Sequence, residues 1–565
     1  MNQAPPARIL AVLAVLAALA APAGAQSTFP LLPDGAGVGL PTSGGWVRLT
    51  MSGRAIAFES ESDPLDAWHS DIFVADLHTG TLTLASVTYQ GTRSIGYPRT
   101  PCASDDGTRI VFSSDASDLV ADDDNLGRDI FLRDLRAGTT TRIPVDPPID
   151  PDHAFDSYLA EAPTISADGS TVVFTATPAF AFYPWGIGTA AVYAHDIATA
   201  TTTLVCVSTN GTLADDDSYS PTVSADGRFV SFWSEANNLL DDRASDGGVF
   251  LRDRLLGTTS CISIATDGTP RLGKYPQISP DGRYVAFASA ETDLVAFDHP
   301  VDWIGYHVFL HDRDTGMTEL VTCKPDGDPA NERDDPFSAP WAVPSGDGRL
   351  VAFTSTSREL IEGDPIHRAS GQVFVRDRDR NLTRLVSRDA DGNEASGNCG
   401  GPSISADGNL IAFSSFATNL FAPLFSYTIV GHSMQIDQAA AWSSYGTGWP
   451  GKHGVPGFGC SADPIVGTTL TAHVDSSSRA PYNVGFLLLG VQAAQIPTSL
   501  GGELLLLPIA NVPFVLFTAG YDFIEELPYD ESVVGLALFA QVLQFDSAAS
   551  GGVSFTPGLE LHVGF

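Results

Sequence analysis

The chain has 565 residues, and its 67 acidic against 30 basic side chains give a formal net charge of −37. That excess repels polyanions, so nucleic acid and anionic lipid are excluded as partners, while cations, basic proteins and neutral glycans stay open. The length exceeds what one small core needs, so several folding units, or repeats fused into one large domain, are expected.

Residues 1–25 come first. Arg8, the apolar run from Ile9 to Ala20 and the small residues Ala23-Gly24-Ala25 read as a secretory signal cleaved before Gln26. The run is too short to span a bilayer. No cysteine stands at the cleavage point and no later segment has the length and apolarity of a membrane helix. An exported, soluble monomer is expected, acting in the periplasm, on the cell surface or outside the cell. Its six cysteines all follow residue 100 and show no CxxC or zinc-ligand spacing. Export permits disulfides. However, Cys206, Cys261 and Cys323 fall at similar places in successive repeats, where they stand too far apart to bridge, so most cysteines read as small buried apolar residues.

From residue 56 onward a β-branched residue, one Ala, Ser or Val, and a phenylalanine recur at intervals of 54 to 66 residues. The copies are Ile56/Phe58, Ile110/Phe112, Val172/Phe174, Val230/Phe232, Val285/Phe287, Val351/Phe353 and Ile411/Phe413. A period that long, with an Asp-Gly turn just upstream of most copies, predicts the blades of a β-propeller. In the fourth copy strand a is Thr222 to Ser224 and Asp226-Gly227 makes the tight turn. Strand b runs from Phe229 to Trp233 with Val230 and Phe232 on one side, strand c covers Val249 to Leu251, and strand d Thr259 to Ile264.

Strand c ends on an aspartate four residues after an apolar one, at Ile72/Asp76, Ile130/Asp134, Val192/Asp196, Val249/Asp253, Val308/Asp312 and Val373/Asp377. The last Asp-Gly turn, Asp407-Gly408, lacks such a strand, and Ser426 to Val430 is its degenerate candidate. Phe29 to Leu32, followed by Asp34-Gly35, looks like a d strand displaced to the N-terminus; pairing with the last blade would close the ring and remove its free edge. Seven blades are expected, with six as the alternative.

The segments PTVSADGRFVSF (221–232), PQISPDGRYVAF (276–287) and PSISADGNLIAF (402–413) closely resemble the repeats of the TolB-type β-propeller family, seen also in the propellers of prolyl oligopeptidase relatives. The resemblance covers residues 27 to 420 and implies an all-β propeller domain over 26–437. It does not imply one activity, because such propellers dock proteins, bind glycans, gate substrates or occasionally catalyse. The first copy departs from the pattern, with Ser52-Gly53 in place of Asp-Gly.

After a linker at 438–444, the stretch Tyr445-Gly-Thr-Gly-Trp-Pro-Gly451 opens a different unit over 445–565. It resembles a short β-rich C-terminal module of secreted bacterial proteins that opens YGxGCPG, with Trp449 standing at the cysteine. By that resemblance Cys460 lacks a disulfide partner. Alternating segments at 469–474, 485–489, 503–507, 534–545 and 559–563 predict a small β-sandwich, and 120 residues are too few for an outer-membrane barrel.

No catalytic signature of the GxSxG, HExxH, phosphate-loop or dinucleotide kind is present. His195 and His311, beside strand c aspartates, read as structural. In a propeller the b–c and d–a loops share one face, and on that face the b–c loops carry Trp68, His69, Tyr183, Trp185, Trp303, Tyr306 and His307. These residues stack on sugars or anchor a partner chain, or else cap the blades as local cores. The same face holds acid clusters containing Asp122, Asp124, Asp215, Asp217 and Asp241, oxygen donors of the kind structural Ca²⁺ uses, though none matches the twelve-residue calcium loop and solvated turn acids explain them as well. Charged ends of strand c, such as Arg252-Asp253-Arg254, form a belt on the opposite face, read as structural pairing across blades.

The expected function is that of a non-enzymatic scaffold binding a protein or polysaccharide through the loop face, with no required cofactor. The alternatives are a polysaccharide lyase or hydrolase in the propeller mouth, with His153 and His299 as the groups to test, and a structural component of the envelope.

Overall fold

The computed structural model describes Thr28–Pro30 and residues 47–562, apart from segments 62–69, 124–126, 145–157, 179–188, 242–245, 298–304, 331–339, 362–370, 390–392, 421–427, 434–440, 451–452, 462–468, 477–481, 500–502, 507–509, 518–519, 527–536, 550–551 and the single positions 491 and 548. The chain divides into two compact units, Ser27–Met434 and Gln435–Phe565. Every regular element among the described residues is a β-strand, as the all-β expectation required, and none of them forms a helix long and apolar enough to cross a membrane.

The first unit holds seven four-stranded antiparallel sheets among the described residues, six of them built from consecutive strands. In the fourth, Ser218–Val223, Phe229–Ser234, Gly248–Asp253 and Thr258–Cys261 pair in order as strands a to d. Strand d is shorter than its apolar run, because Ile264 belongs instead to a small bridge with Pro270 inside the d–a connection. The seventh sheet is assembled from both ends of the unit. Thr28–Pro30 pairs antiparallel with Thr428–Ser433, Phe29 opposite Gly431, so the N-terminal strand takes the outer d position.

The recurring phenylalanine gains its meaning from register. Phe232 lies opposite Phe250 on strand c, with ring centroids 5.8 Å apart and stacked. The same pair recurs as Phe58–Phe73, Phe112–Phe131, Phe174–Tyr193, Phe287–Phe309 and Phe353–Phe374, all within 5.7 to 6.0 Å. Phe413 faces Val430 instead. Apolar surface is then buried between neighbouring sheets. Val47, Ile56 and Phe58 of the first share a cluster with Ala412 and Ile429 of the seventh, so the sheets close into a ring.

The a–b turns also bind the ring together. The Ser224 hydroxyl bonds Asp226 at 2.6 Å and accepts the Phe229 amide, while Asp226 accepts the Arg228 amide. Turn amides then reach the next sheet: Asp105 N to Ala167 O, Ala225 N to Pro280 O, Gly346 N to Ala406 O and Ala406 N to Met51 O. The first turn survives without its aspartate because Gly53 keeps φ at +72° and the Thr50 hydroxyl accepts the Ala55 amide.

The turn glycine is required twice over. At Gly282, φ is +74°, and a Cβ there would sit 2.4 Å from Phe229 of the preceding sheet. Gly282→Ala is expected to cost roughly 2–4 kcal/mol from left-handed strain plus overlap, and Gly268→Ala, at φ +87° with open space around it, only about 1 kcal/mol. Denaturant melts of the two variants measure the difference; equal losses refute the close-packing account.

The second unit has a six-stranded sheet, in which Gly558–His562 lies between Ala441–Tyr445 and Ala537–Phe545, and a three-stranded sheet of Phe458–Cys460, Thr469–Val474 and Tyr521–Glu526. Phe458, Leu470 and Val474 from the smaller sheet share one core with Leu487, Val542 and Leu559 from the larger, giving the two-layer packing of a sandwich. All six cysteines of the chain are free thiols, and Cys206, Cys261, Cys323 and Cys399 are buried.

Candidate functional site

The innermost strands of the first unit carry a repeated distortion. In five sheets strand a slips register across an X-Pro dipeptide, between Arg99/Cys102, Glu161/Thr164, Tyr219/Thr222, Lys274/Gln277 and Gly400/Ser403. The residue before proline sits at positive φ: Thr100 at 51°, Ala162 at 50°, Ser220 at 50°, Tyr275 at 52° and Gly401 at 56°. Each non-glycine copy costs about 1–2 kcal/mol, and strain of this kind persists only where surrounding structure enforces it. The inner strands of the first and sixth sheets, Val47–Leu49 and Ala342–Pro344, pair without the slip.

Six of the sheets converge on a cavity of about 90 Å³, lined by Arg48, Thr100, Pro163, Thr222, Tyr275, Gln277 and Trp341 among others. Residues from sheets all around the ring meet there, which places the cavity on the axis. The larger unit is a β-propeller. In each repeat the residue two before the conserved serine or threonine of the a–b turn belongs to this inner belt: Arg48, Cys102, Thr164, Thr222, Gln277, Val343 and Ser403. The short ones tie neighbouring blades together. Thr222 Oγ1 accepts the Ile278 amide at 3.2 Å, and Ser403 Oγ accepts the Leu49 amide at 3.1 Å. Arg48 and Gln277 are long, and they reach each other: Arg48 Nη1 donates to Gln277 Oε1 at 3.1 Å.

The Arg48 guanidinium carbon lies 5.2 Å from the centre of the Trp341 ring, and Trp341 packs 6.2 Å from Tyr275. No carboxylate among the described residues pairs with Arg48, and burial pushes its pKa down. One residue before Tyr275, Lys274 holds its ammonium 5.4 Å from the Trp233 ring and 5.9 Å from Tyr306. The axis therefore presents the cation Arg48 and the aromatic residues Tyr275 and Trp341, in a chain that is acidic overall.

Of the loop aromatics expected to line a binding rim, Tyr306 is described and stands against Lys274. His307 requires correction. It is the first residue of the strand His307–Asp312, fully buried, with Nδ1 3.1 Å from Thr322 Oγ1, so it belongs to the blade interior rather than to the loop. Trp68, His69, Tyr183, Trp185 and Trp303 lie outside the described residues, as do Asp124, His153 and His299.

The acids near the loops serve the turns. Asp215 accepts the Asn237 amide at 2.7 Å, while Asp217 accepts the Ala190 amide at 2.7 Å and the Tyr219 hydroxyl at 2.6 Å. The amide of Asp215 is clamped by Asn238, as that of Ile95 is by Asp118 and that of Ser396 by Asn419. Asp122 and Asp241 lie in turns, and among the described residues no three His, Cys, Asp or Glu side chains converge as metal ligands.

His195 and His311 are held by Thr202 and Thr318 at 2.9 Å each, with pKa values lowered by burial, in keeping with structural roles. The charged belt on the opposite face also needs correction. Its ion pairs close mainly within a blade, from the arginine after the turn glycine to the end of strand c. Arg228 grips Asp253 at 3.0 and 2.7 Å, and Arg283 grips Asp312 at 2.8 and 2.7 Å, holding both carboxyls below the usual carboxylate range. In each pair the arginine immediately precedes strand b and the aspartate ends strand c of the same sheet. Blades are crossed by contacts such as Arg109 Nη1 to Gly169 O at 2.8 Å, Arg313 over Phe229, and the Arg378–Glu319 pair.

Comparison with protein-family models and with curated proteins finds no match. Among solved structures the propeller resembles TolB from Acinetobacter baumannii (16% identity, 59% of this chain and 63% of that one, TM-score 0.34). It also resembles the Dos1 propeller (13% identity, 72% and 94%, TM-score 0.37) and the WD40 repeats of RRP9 (9% identity, 72% and 97%, TM-score 0.37). The chain thus spans less than two thirds of the Acinetobacter TolB. The ring of sheets, rather than these likenesses, makes the fold a propeller.

Proposed function

We propose that the chain is an exported, seven-bladed, non-enzymatic propeller that binds a partner entering the axial cavity from the loop face. The observation that carries this reading is where the repeat is broken. Structural side chains follow the repeat blade after blade, as the serine–aspartate turns and Arg–Asp pairs do, whereas a ligand site is specific to some blades only. Arg48 and Gln277 are the long side chains of an otherwise short belt, and Trp341 stands in a blade without the bulge. Unpaired cations beside aromatic faces are the composition of binding hot spots. The loop aromatics Trp68, Trp185 and Trp303 are proposed to take part in the same binding.

Partner capture tests the reading. The mature chain is immobilised against an envelope extract, beside an Arg48→Ala/Trp341→Ala variant whose melting temperature is checked first. A protein or polysaccharide retained by the parent and lost by the folded variant is the expected result. Equal capture by both, or none by either, refutes binding at the axis.

A further inference from the structure

Arg48 has more hydrogen-bonding capacity than its surroundings use. A guanidinium carries five N–H donors. In this cavity one of them meets Gln277 Oε1, and Trp341 covers the guanidinium at 5.2 Å without accepting a conventional bond. Gln277 gives one of its two amide N–H donors to Pro276 O at 2.7 Å. Tyr275 also lines the cavity, and its hydroxyl bonds to no described residue. A part-buried cation with open donors and a neighbouring phenol is complementary to a planar anion that accepts two parallel bonds, which is the geometry of a carboxylate.

Size and charge narrow the choice. About 90 Å³ is room for roughly three waters, since one water's share of the liquid is about 30 Å³. That volume takes a carboxylate with one or two methylenes. A pyranose ring bearing a carboxylate exceeds it and would have to stand partly outside. The net charge of −37 does not bar such a group, because charges more than about 8 Å away are largely screened at physiological ionic strength, while Arg48, which lines the cavity, acts at contact range.

We propose that the axial cavity receives one acidic side chain, Asp or Glu, of a partner polypeptide, with Arg48 as the anchoring cation and the Tyr275 hydroxyl as a second donor. This rests on the reading of the axis as a binding site and names the group it recognises. The acid would replace the missing counter-ion of Arg48, and the rings of Tyr275 and Trp341 would pack on its methylenes.

The test uses the whole mature chain labelled with 5-fluorotryptophan, the Trp341 signal being assigned through Trp341→Phe. N-acetylglutamic acid α-amide, its glutamine counterpart and glucuronate are titrated separately while the fluorine spectrum is followed. The acid is expected to move the Trp341 signal with a dissociation constant at least roughly tenfold below that of the carboxamide, a preference that Arg48→Gln abolishes and Arg48→Lys partly keeps. Equal response to acid and carboxamide, or a preference that survives Arg48→Gln, overturns the proposal. So does a Trp341 signal unmoved by the acid. Glucuronate binding more tightly with the same dependence on Arg48 overturns the assignment to a polypeptide side chain. Should Arg48→Gln fail to fold, Arg48→Lys and Gln277→Ala carry the same titration. If partner capture depends on the axis but the acid and carboxamide do not differ, only the carboxylate assignment falls; if capture is also indifferent, the binding reading falls with it.

Discussion

Lowering the pH from 6.5 to 4.5 is expected to cost the propeller about 2 kcal/mol through His432 alone. This residue is buried on strand c of the seventh blade, opposite Thr28 of the N-terminal strand and Ile411 of strand b. Burial, with the charge of Arg384 adding to it, pushes its pKa down to about 3, against 6.5 for a free histidine. The folded state therefore keeps His432 neutral while the unfolded chain takes up a proton below pH 6.5. A lowered folded pKa leaves stability intact above 6.5 and removes it progressively as pH falls toward 3. His195 and His311, also lowered by burial, act in the same direction. Denaturant midpoints across this range are expected to fall steeply for the parent and clearly less for His432→Gln. Parallel pH profiles would show that the histidine does not couple protonation to ring closure.

Removing one ring of a stacked pair is the second large effect. Phe232→Ala or Phe287→Ala deletes a fully buried ring in contact with its cross-strand partner and is expected to cost about 3–5 kcal/mol. Phe413→Ala, whose opposite residue is Val430, should cost less by the worth of an aromatic pair, about 0.5–1.5 kcal/mol. A double-mutant cycle of Phe232 and Phe250, followed by chemical unfolding, isolates that pair energy. A coupling near zero would mean that the recurring phenylalanine acts through buried area alone.

These two effects bear on what can be read from residues in order. Phe232 was visible as a repeated mark because strand periodicity places Val230 and Phe232 on one side whatever lies around them. Its partner Phe250 stands in the strand c segment, but nothing local states that the two rings face each other. Register between strands b and c fixes that. His307 shows the reverse error. Its neighbours Trp303 and Tyr306 suggest a loop, yet the strand begins one residue earlier than its apolar run, and a hydrogen bond to Thr322 is enough to hold the imidazole inside. The acid clusters were legible as residues but not as turn clamps, since Asn237, Asn238 and Ala190 reach them from distant positions.

The axial site was missed for a related reason, although a signal for it exists. Aligning the repeats on the serine or threonine of the a–b turn shows Arg48 and Gln277 where other copies have Cys, Thr, Val or Ser. Local sequence determined the repeat length, the four strands and the serine–aspartate–glycine turns, because those depend on steric period and on bonds between residues a few positions apart. Only the tertiary structure decided that strand a lines the axis, that Arg48 and Gln277 meet from blades 229 residues apart, and that the ion pairs close within a blade. Those are consequences of bending the sheets into a closed ring, which brings together side chains whose separation along the chain carries no trace of their proximity.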